Sequence, residues 1–161
     1  METKFTTTPS QEDIKNITPL TRQSWNEYFI KLAQEVSTRS TCPRKQVGCV
    51  IVKDKTIVAT GYNGSLPKEA HCTSHGCFIQ DNHCVRTIHA ETNAINQAAK
   101  NGVSLKDTTI YCNVEPCWNC YKNIISAGIT KIFYMESYGN KSYLHQECII
   151  RNLIDYNLIE V

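Results

Sequence analysis

The sequence predicts an α/β protein: a mixed five-stranded sheet with helices on both faces, in three α/β/α layers. Three observations carry this expectation. Helix-like and strand-like periodicities alternate in the order α-β-β-α-β-α-β-α-β. Only a short turn separates the first two strands, so they pair antiparallel. A helix lies between the third and fourth, which implies a parallel crossover. With no internal repeat, residues 21–161 read as one domain behind a polar, Thr-rich arm over 1–20.

Each element has its own signal. In "TRQSWNEYFIKLAQEVSTRS", Trp25, Phe29, Leu32 and Val36 recur at helical spacing. "QVGCVIVKD" and "TIVATGYNG" are β-rich runs joined by a turn at "KDK", hence a hairpin. Residues 65–88 show no clear periodicity and read as an insertion loop. From His89 to Lys100 the spacing of Ala94, Ile95, Ala98 and Ala99 predicts a helix, ended by "NG". "TTIYCNV" is the third strand. "CWNCYKNIISAG" is a helix stopped at Gly128, and "ITKIFYME" is the fourth strand. "SYLHQECIIRNLIDYN" reads as a last helix and "LIEV" as a short fifth strand.

Composition narrows the function classes. A chain of 161 residues with 41% hydrophobic residues can bury a core of useful size. No apolar run approaches the ~18 residues of a membrane span. The N-terminal stretch lacks the apolar segment of a signal peptide, so the expected compartment is the cytoplasm. A net charge of +2, with no Lys/Arg block longer than two residues, argues against an extended polyanion as partner. A small anionic ligand needs only a few cations. Nine cysteines, several close to histidines, point in this setting to metal binding or catalysis rather than to disulfides.

The chemistry concentrates in two stretches, "HAE" at 89–91 and "PCWNC" at 116–120. His89, Cys117 and Cys120 make three zinc ligands and leave the fourth position open, as a catalytic site requires. Cys117 and Cys120 are one helical turn apart at a helix start, where the N-terminus favours thiolate. His89 opens the other helix. Glu91 is not needed as a ligand, and a carboxylate beside the metal can take a proton from water and return it to a substrate nitrogen. A lone CxxC would fit structural zinc or a redox pair equally well. The pairing with HxE upstream is the signature of zinc deaminases.

Over about residues 42–134 the chain resembles the cytidine/deoxycytidylate deaminase superfamily and is most similar to its deoxycytidylate (dCMP) deaminase branch. "CPRKQVGCVIVKD", "GYNGS", "HCVRTIHAETNAI" and "EPCWNCYKNIISAGITKI" carry the likeness. The resemblance implies a cytidine-deaminase-like fold, His89, Cys117 and Cys120 as zinc ligands, and Glu91 as proton shuttle. It implies hydrolytic deamination of dCMP to dUMP. Hydroxide attacks C4 while Glu91 protonates N3, and Glu91 then delivers a proton to the amino group, which leaves as ammonia. Asn63 is expected to hold the sugar or base, although Asn-Gly is also a strong turn former. Tyr62 is expected to stack or pack nearby. Arg86, with Arg44 and Lys45, is a candidate for the nucleotide phosphate, and each also fits a solvated surface charge.

Of the remaining cysteines, Cys49, Cys112 and Cys148 lie in apolar runs and read as core. Cys42, Cys72, Cys77 and Cys84 lie outside such runs. The resemblance implies a second, structural zinc on Cys42, Cys72 and Cys84, completed by His83 or Cys77. The alternative is a set of reduced thiols in a polar loop. Family likeness also implies a homo-oligomer, with a hexamer favoured, and dCTP and dTTP as allosteric effectors.

Two rival readings differ in kind. The "EPC" triplet also occurs in tRNA adenosine deaminases, whose polynucleotide substrate fits poorly with the near-neutral charge and the Cys/His insertion. A purely structural zinc module would have no use for Glu91.

Overall fold

The computed structural model describes residues 21–137, 139, 143–150 and 154–159. The arm expected over 1–20 lies outside these residues. Helix α1 (Trp25–Ser37) begins at a reciprocal cap: Ser24 Oγ accepts from the Glu27 N–H at 3.2 Å, and Glu27 Oε2 accepts from the Ser24 N–H at 2.6 Å. Strands β1 (Gly48–Lys53) and β2 (Thr56–Tyr62) form the expected hairpin. Its two-residue turn places Asp54 and Lys55 at φ 49° and 64°, matching the twist of the flanking strands.

The stretch expected as a loop over 65–88 instead carries short elements: β3 (Gly64–Ser65), α2 (Cys72–His75), β4 (Ile79–Gln80), β5 (His83–Cys84) and β6 (Thr87–Ile88). Most of these pieces are two residues long, too short to generate a readable period. β4 pairs with β5 across Asp81–Asn82, and β3 pairs with β6. The second pairing carries the chain straight into α3 (Ala90–Lys100).

Then follow β7 (Thr108–Val114), α4 (Trp118–Ser126), β8 (Ile129–Glu136), α5 (Tyr143–Ile150) and β9 (Asp155–Leu158). Gly128 after α4 takes φ +85°, a left-handed conformation that ends the helix without a Cβ penalty.

The sheet order is β2-β1-β7-β8-β9. β1 runs antiparallel to both β2 and β7, while β7, β8 and β9 are parallel. β1 is a central strand and reads as a continuous apolar run because both its faces are covered. Val50, Val52 and Tyr111 pack against Phe29, Ile30 and Ala33 of α1. Cys49, Ile51, Ile110, Cys112 and Ile132 pack on the other face, against Ala94 and Ala98 of α3 and Tyr121 and Ile124 of α4. Half-buried Cys148 and Ile149 of α5 join that second layer. The three-layer α/β/α arrangement is as the sequence predicts.

The C-terminal expectation needs correction. The sequence reads as helix over 142–157 followed by a strand over 158–161, whereas α5 ends at Ile150 and β9 already spans Asp155–Leu158. Sheet contacts override the local pattern here. Tyr156, opposite Ile132 of β8, lies 5.0 Å from Tyr134 and 5.7 Å from Tyr121 between ring centroids. Asp155 and Asn157 point away from that aromatic cluster, as strand alternation requires.

Candidate metal centre and substrate cavity

Two helix starts converge at the carboxyl end of β7. Val114 ends the strand, Glu115 and Pro116 turn the chain, and Cys117 caps α4 in extended conformation. His89 caps α3 in the same way. Neither side chain makes the usual capping bond to its helix, and both are turned toward each other instead. Gly61 permits the approach of α3 to the sheet, because a Cβ there would meet backbone atoms of Ala90 and Ala94.

His89 Nδ1 lies 3.5 Å from Cys117 Sγ and 3.4 Å from Cys120 Sγ. With Zn–N near 2.0–2.1 Å and Zn–S near 2.3 Å, a tetrahedral zinc sets its nitrogen and sulfur ligands about 3.5 Å apart. The three donor atoms all lie within 4.8 Å of one another, so they fit one zinc. Cys120 is buried, Cys117 half-buried and His89 exposed, which leaves the centre open on one side.

The electrostatics suit a metal. Hydrogen bonding from Cys120 and then from His89 outweighs burial and brings the Cys117 thiol down to about 3. Cys120, the donor in that pair, is pushed far up. The hydrogen bond with Cys117 also raises His89. Glu91, in the first turn of α3, is only 3% exposed, and burial raises its carboxyl above the ordinary value. It lies outside the group of three donors.

His89, Glu91 and Cys117 line a cavity of about 370 Å³, whose wall also includes Asn63, Arg44, Lys45, His83, Val114 and Glu115. Asn63 is braced on three sides. Its Oδ1 accepts from the Val47 N–H at 2.9 Å and from Ser40 Oγ at 2.6 Å, and its Nδ2 donates to the Lys45 carbonyl at 2.9 Å. One amide hydrogen remains for a ligand. Arg44 donates to the Asn82 carbonyl at 3.2 Å, and Lys45 pairs with Glu136 at 2.6 Å.

Two sequence candidates stand elsewhere. Arg86 is half-buried and off the cavity wall, with no hydrogen-bond partner for its Nε among the described residues. Tyr62 is exposed, also off the wall, and its carbonyl accepts from Asn93 Nδ2 at 2.8 Å. Sequence reasoning passed over Glu115, whose only signal was its place in "EPC".

A second donor cluster lies beside the cavity. The sulfurs of Cys72, Cys77 and Cys84 fall within 4.8 Å of one another, with Cys72 and Cys84 3.6 Å apart. Two thiolates on one tetrahedral zinc stand about 3.8 Å apart. Burial, then Cys84, pushes Cys72 up to about 12. Burial also pushes Cys84 up, but hydrogen bonds from the Arg86 and Phe78 backbone hold it at about 7. Cys42 is buried and its charge is felt at Cys77, although it is outside the group of three. His83 is exposed on the cavity wall rather than gathered with the thiols.

A centre of two cysteines and one histidine, open on one side and flanked by a buried carboxylate, has the donor set of a zinc site that keeps one position open. Residues 23–136 match the model of the cytidine and deoxycytidylate deaminase zinc-binding region, and the chain belongs to that family. It is 47% identical over 125 residues to ComE operon protein 2 of Bacillus subtilis, a match covering 78% of this chain and 66% of that one. It is 38% identical over 130 residues to the deoxycytidylate deaminase of Saccharomyces cerevisiae, covering 77% of this chain and 41% of the yeast protein. The chain thus spans less than two thirds of both relatives. Among solved structures, the dCMP deaminase of cyanophage S-TIM5 in complex with dCMP and dUMP superposes with a TM-score of 0.73 at 27% identity, covering 87% of this chain and 100% of the phage chain. No helix among the described residues is long and apolar enough to cross a membrane.

Proposed function

We propose that the protein deaminates dCMP to dUMP by hydrolysis, releasing ammonia. The observation that carries this reading is the His89, Cys117 and Cys120 triangle beside buried Glu91, opening onto a cavity with Arg44 and Lys45 on its wall. The substrate choice is supported by the yeast relative's name and by the phage structure with dCMP and dUMP.

His89, Cys117 and Cys120 hold the zinc, which when bound lowers the pKa of water and supplies a nucleophile at neutral pH. Glu91 acts as general base and acid. Its buried carboxyl, raised above the ordinary value by burial, is suited to taking a proton from water, placing it on N3, and moving a proton to the departing amino nitrogen. Asn63, fixed by Val47, Ser40 and Lys45, directs its spare amide hydrogen to the sugar or base. Arg44 and Lys45 receive the phosphate. Arg86, a sequence candidate for the same role, is off the cavity wall. Cys72, Cys77 and Cys84 hold a second, structural zinc, with buried Cys42 the candidate for its fourth thiolate and His83 outside the thiol group. Family likeness supports a homohexamer controlled by dCTP and dTTP, checked by light scattering with and without each effector.

The test is ammonia release by the pure protein from cytidine, dCMP, dCTP and tRNA. Release from dCMP above the other three supports the reading. Release from tRNA alone would replace it with polynucleotide editing.

A further inference from the structure

Glu115 is buried to 3% exposure, yet it stands on the cavity wall between β7 and the Cys117 cap. A buried carboxylate needs partners that justify its desolvation. Tyr156 of β9 donates its hydroxyl to Glu115 Oε1 at 2.9 Å, and Ser137, just past β8, donates to Oε2 at 2.8 Å. The Glu115 N–H donates to the Glu136 carbonyl at 2.8 Å. Three bonds from two neighbouring strands therefore meet on the residue that precedes Pro116 and Cys117. The Tyr156 ring is itself fixed between Tyr134 and Tyr121, and Tyr121 lies in α4 with Cys120.

We propose that Glu115 and Tyr156 form a positioning pair that fixes the Cys117-bearing turn, making β9 part of the metal site although it supplies no ligand. The pair rests on the reading of Cys117 as a zinc ligand. A proline after Glu115 removes one soft dihedral, so the orientation of the Glu115 side chain is passed to Cys117 with little slack. Ordinary loop anchoring would need only the backbone bond to Glu136. The two carboxylate oxygens add directional side-chain bonds where a sulfur must stay near 2.3 Å from a metal. Partners behind the ligands of a metal site are typically worth 10–100-fold in affinity.

The test follows zinc release from the intact protein to a chromophoric chelator. The phase missing from Cys117→Ala identifies the catalytic ion, and the Cys72/Cys77/Cys84 ion provides an internal reference. Tyr156→Phe, which keeps the ring, and Glu115→Gln, which keeps the shape, should each speed the catalytic phase about tenfold or more. Neither should move the reference phase. The double variant should be no worse than the poorer single one, since both substitutions weaken the same Tyr156–Glu115 bond. Equal release from wild type and both singles, or additive effects in the double, would overturn the pair. If the wild type shows no phase that Cys117→Ala removes, the ligand assignment itself fails, a separate and recognisable result.

Discussion

A Cβ at Gly61 would lie 2.2 Å from the carbonyl oxygen of Ala90. The second residue of "HAE" therefore rests directly on β2, and His89 and Glu91 on either side owe their placement to a missing side chain. Gly61→Ala must push α3 away from the sheet. Overpacking of this kind costs about 1–3 kcal/mol. The expected result is a melting temperature lower by roughly 2–10 °C together with weaker zinc retention. An unchanged melt and metal content would show that α3 is not seated by this contact.

Glu91 should behave as a group that costs stability. Its carboxyl is raised by burial in the fold, so its favourable contribution is complete below the ordinary value of 4.5 and is lost as pH rises through the raised value. Zinc-free Glu91→Gln should therefore melt higher than zinc-free wild type at pH 7, by a margin that shrinks toward pH 4. A variant that melts lower at pH 7 would mean that the ionised carboxylate has stabilising partners.

The cations on the cavity wall should read phosphate. Charged hydrogen bonds are worth roughly 1.5–3 kcal/mol each, about tenfold or more per contact. Arg44→Ala should raise KM for dCMP by that factor and leave turnover of deoxycytidine unchanged. Arg86→Ala should disturb stability more than KM. The reverse pattern would return the phosphate to Arg86.

Metal content should distinguish the two clusters. Cys72→Ser should lose one of two zinc equivalents and lower the melting temperature, while Glu91-dependent chemistry survives in the remaining fold. A variant that keeps both equivalents would identify the Cys72, Cys77 and Cys84 thiols as reduced cysteines without a metal.

The sheet and its main helices were legible because their periods are long. "GCVIVK" and "TTIYCNV" show the unbroken apolar runs of covered strands, and both motifs fall where a helix must start. The Cys117–Cys120 pair was legible because a short spacing at a helix start survives folding nearly unchanged, and its link to His89, 28 residues away, came from the paired signature. Other features depend on tertiary contacts that no local pattern records. β9 is a strand because Tyr156 finds Tyr134, Tyr121 and Glu115. Arg86 looked available for phosphate because a sequence does not show which way a residue two before β6 ends will face. His83 and Cys77 could be separated only in the fold, where β5 sets His83 on the cavity wall while Cys77, ahead of β4, joins the thiols.

The most direct test of the proposed chemistry is the rate of ammonia release from dCMP by wild type and Glu91→Ala at equal, measured zinc content. Positioned acid–base groups contribute about 10²–10⁴ in rate. The expected result is a loss at or beyond the upper end of that range with zinc fully retained. Wild-type deamination by Glu91→Ala, or loss of its zinc as readily as from Cys117→Ala, would contradict the assignment of Glu91 as the proton carrier.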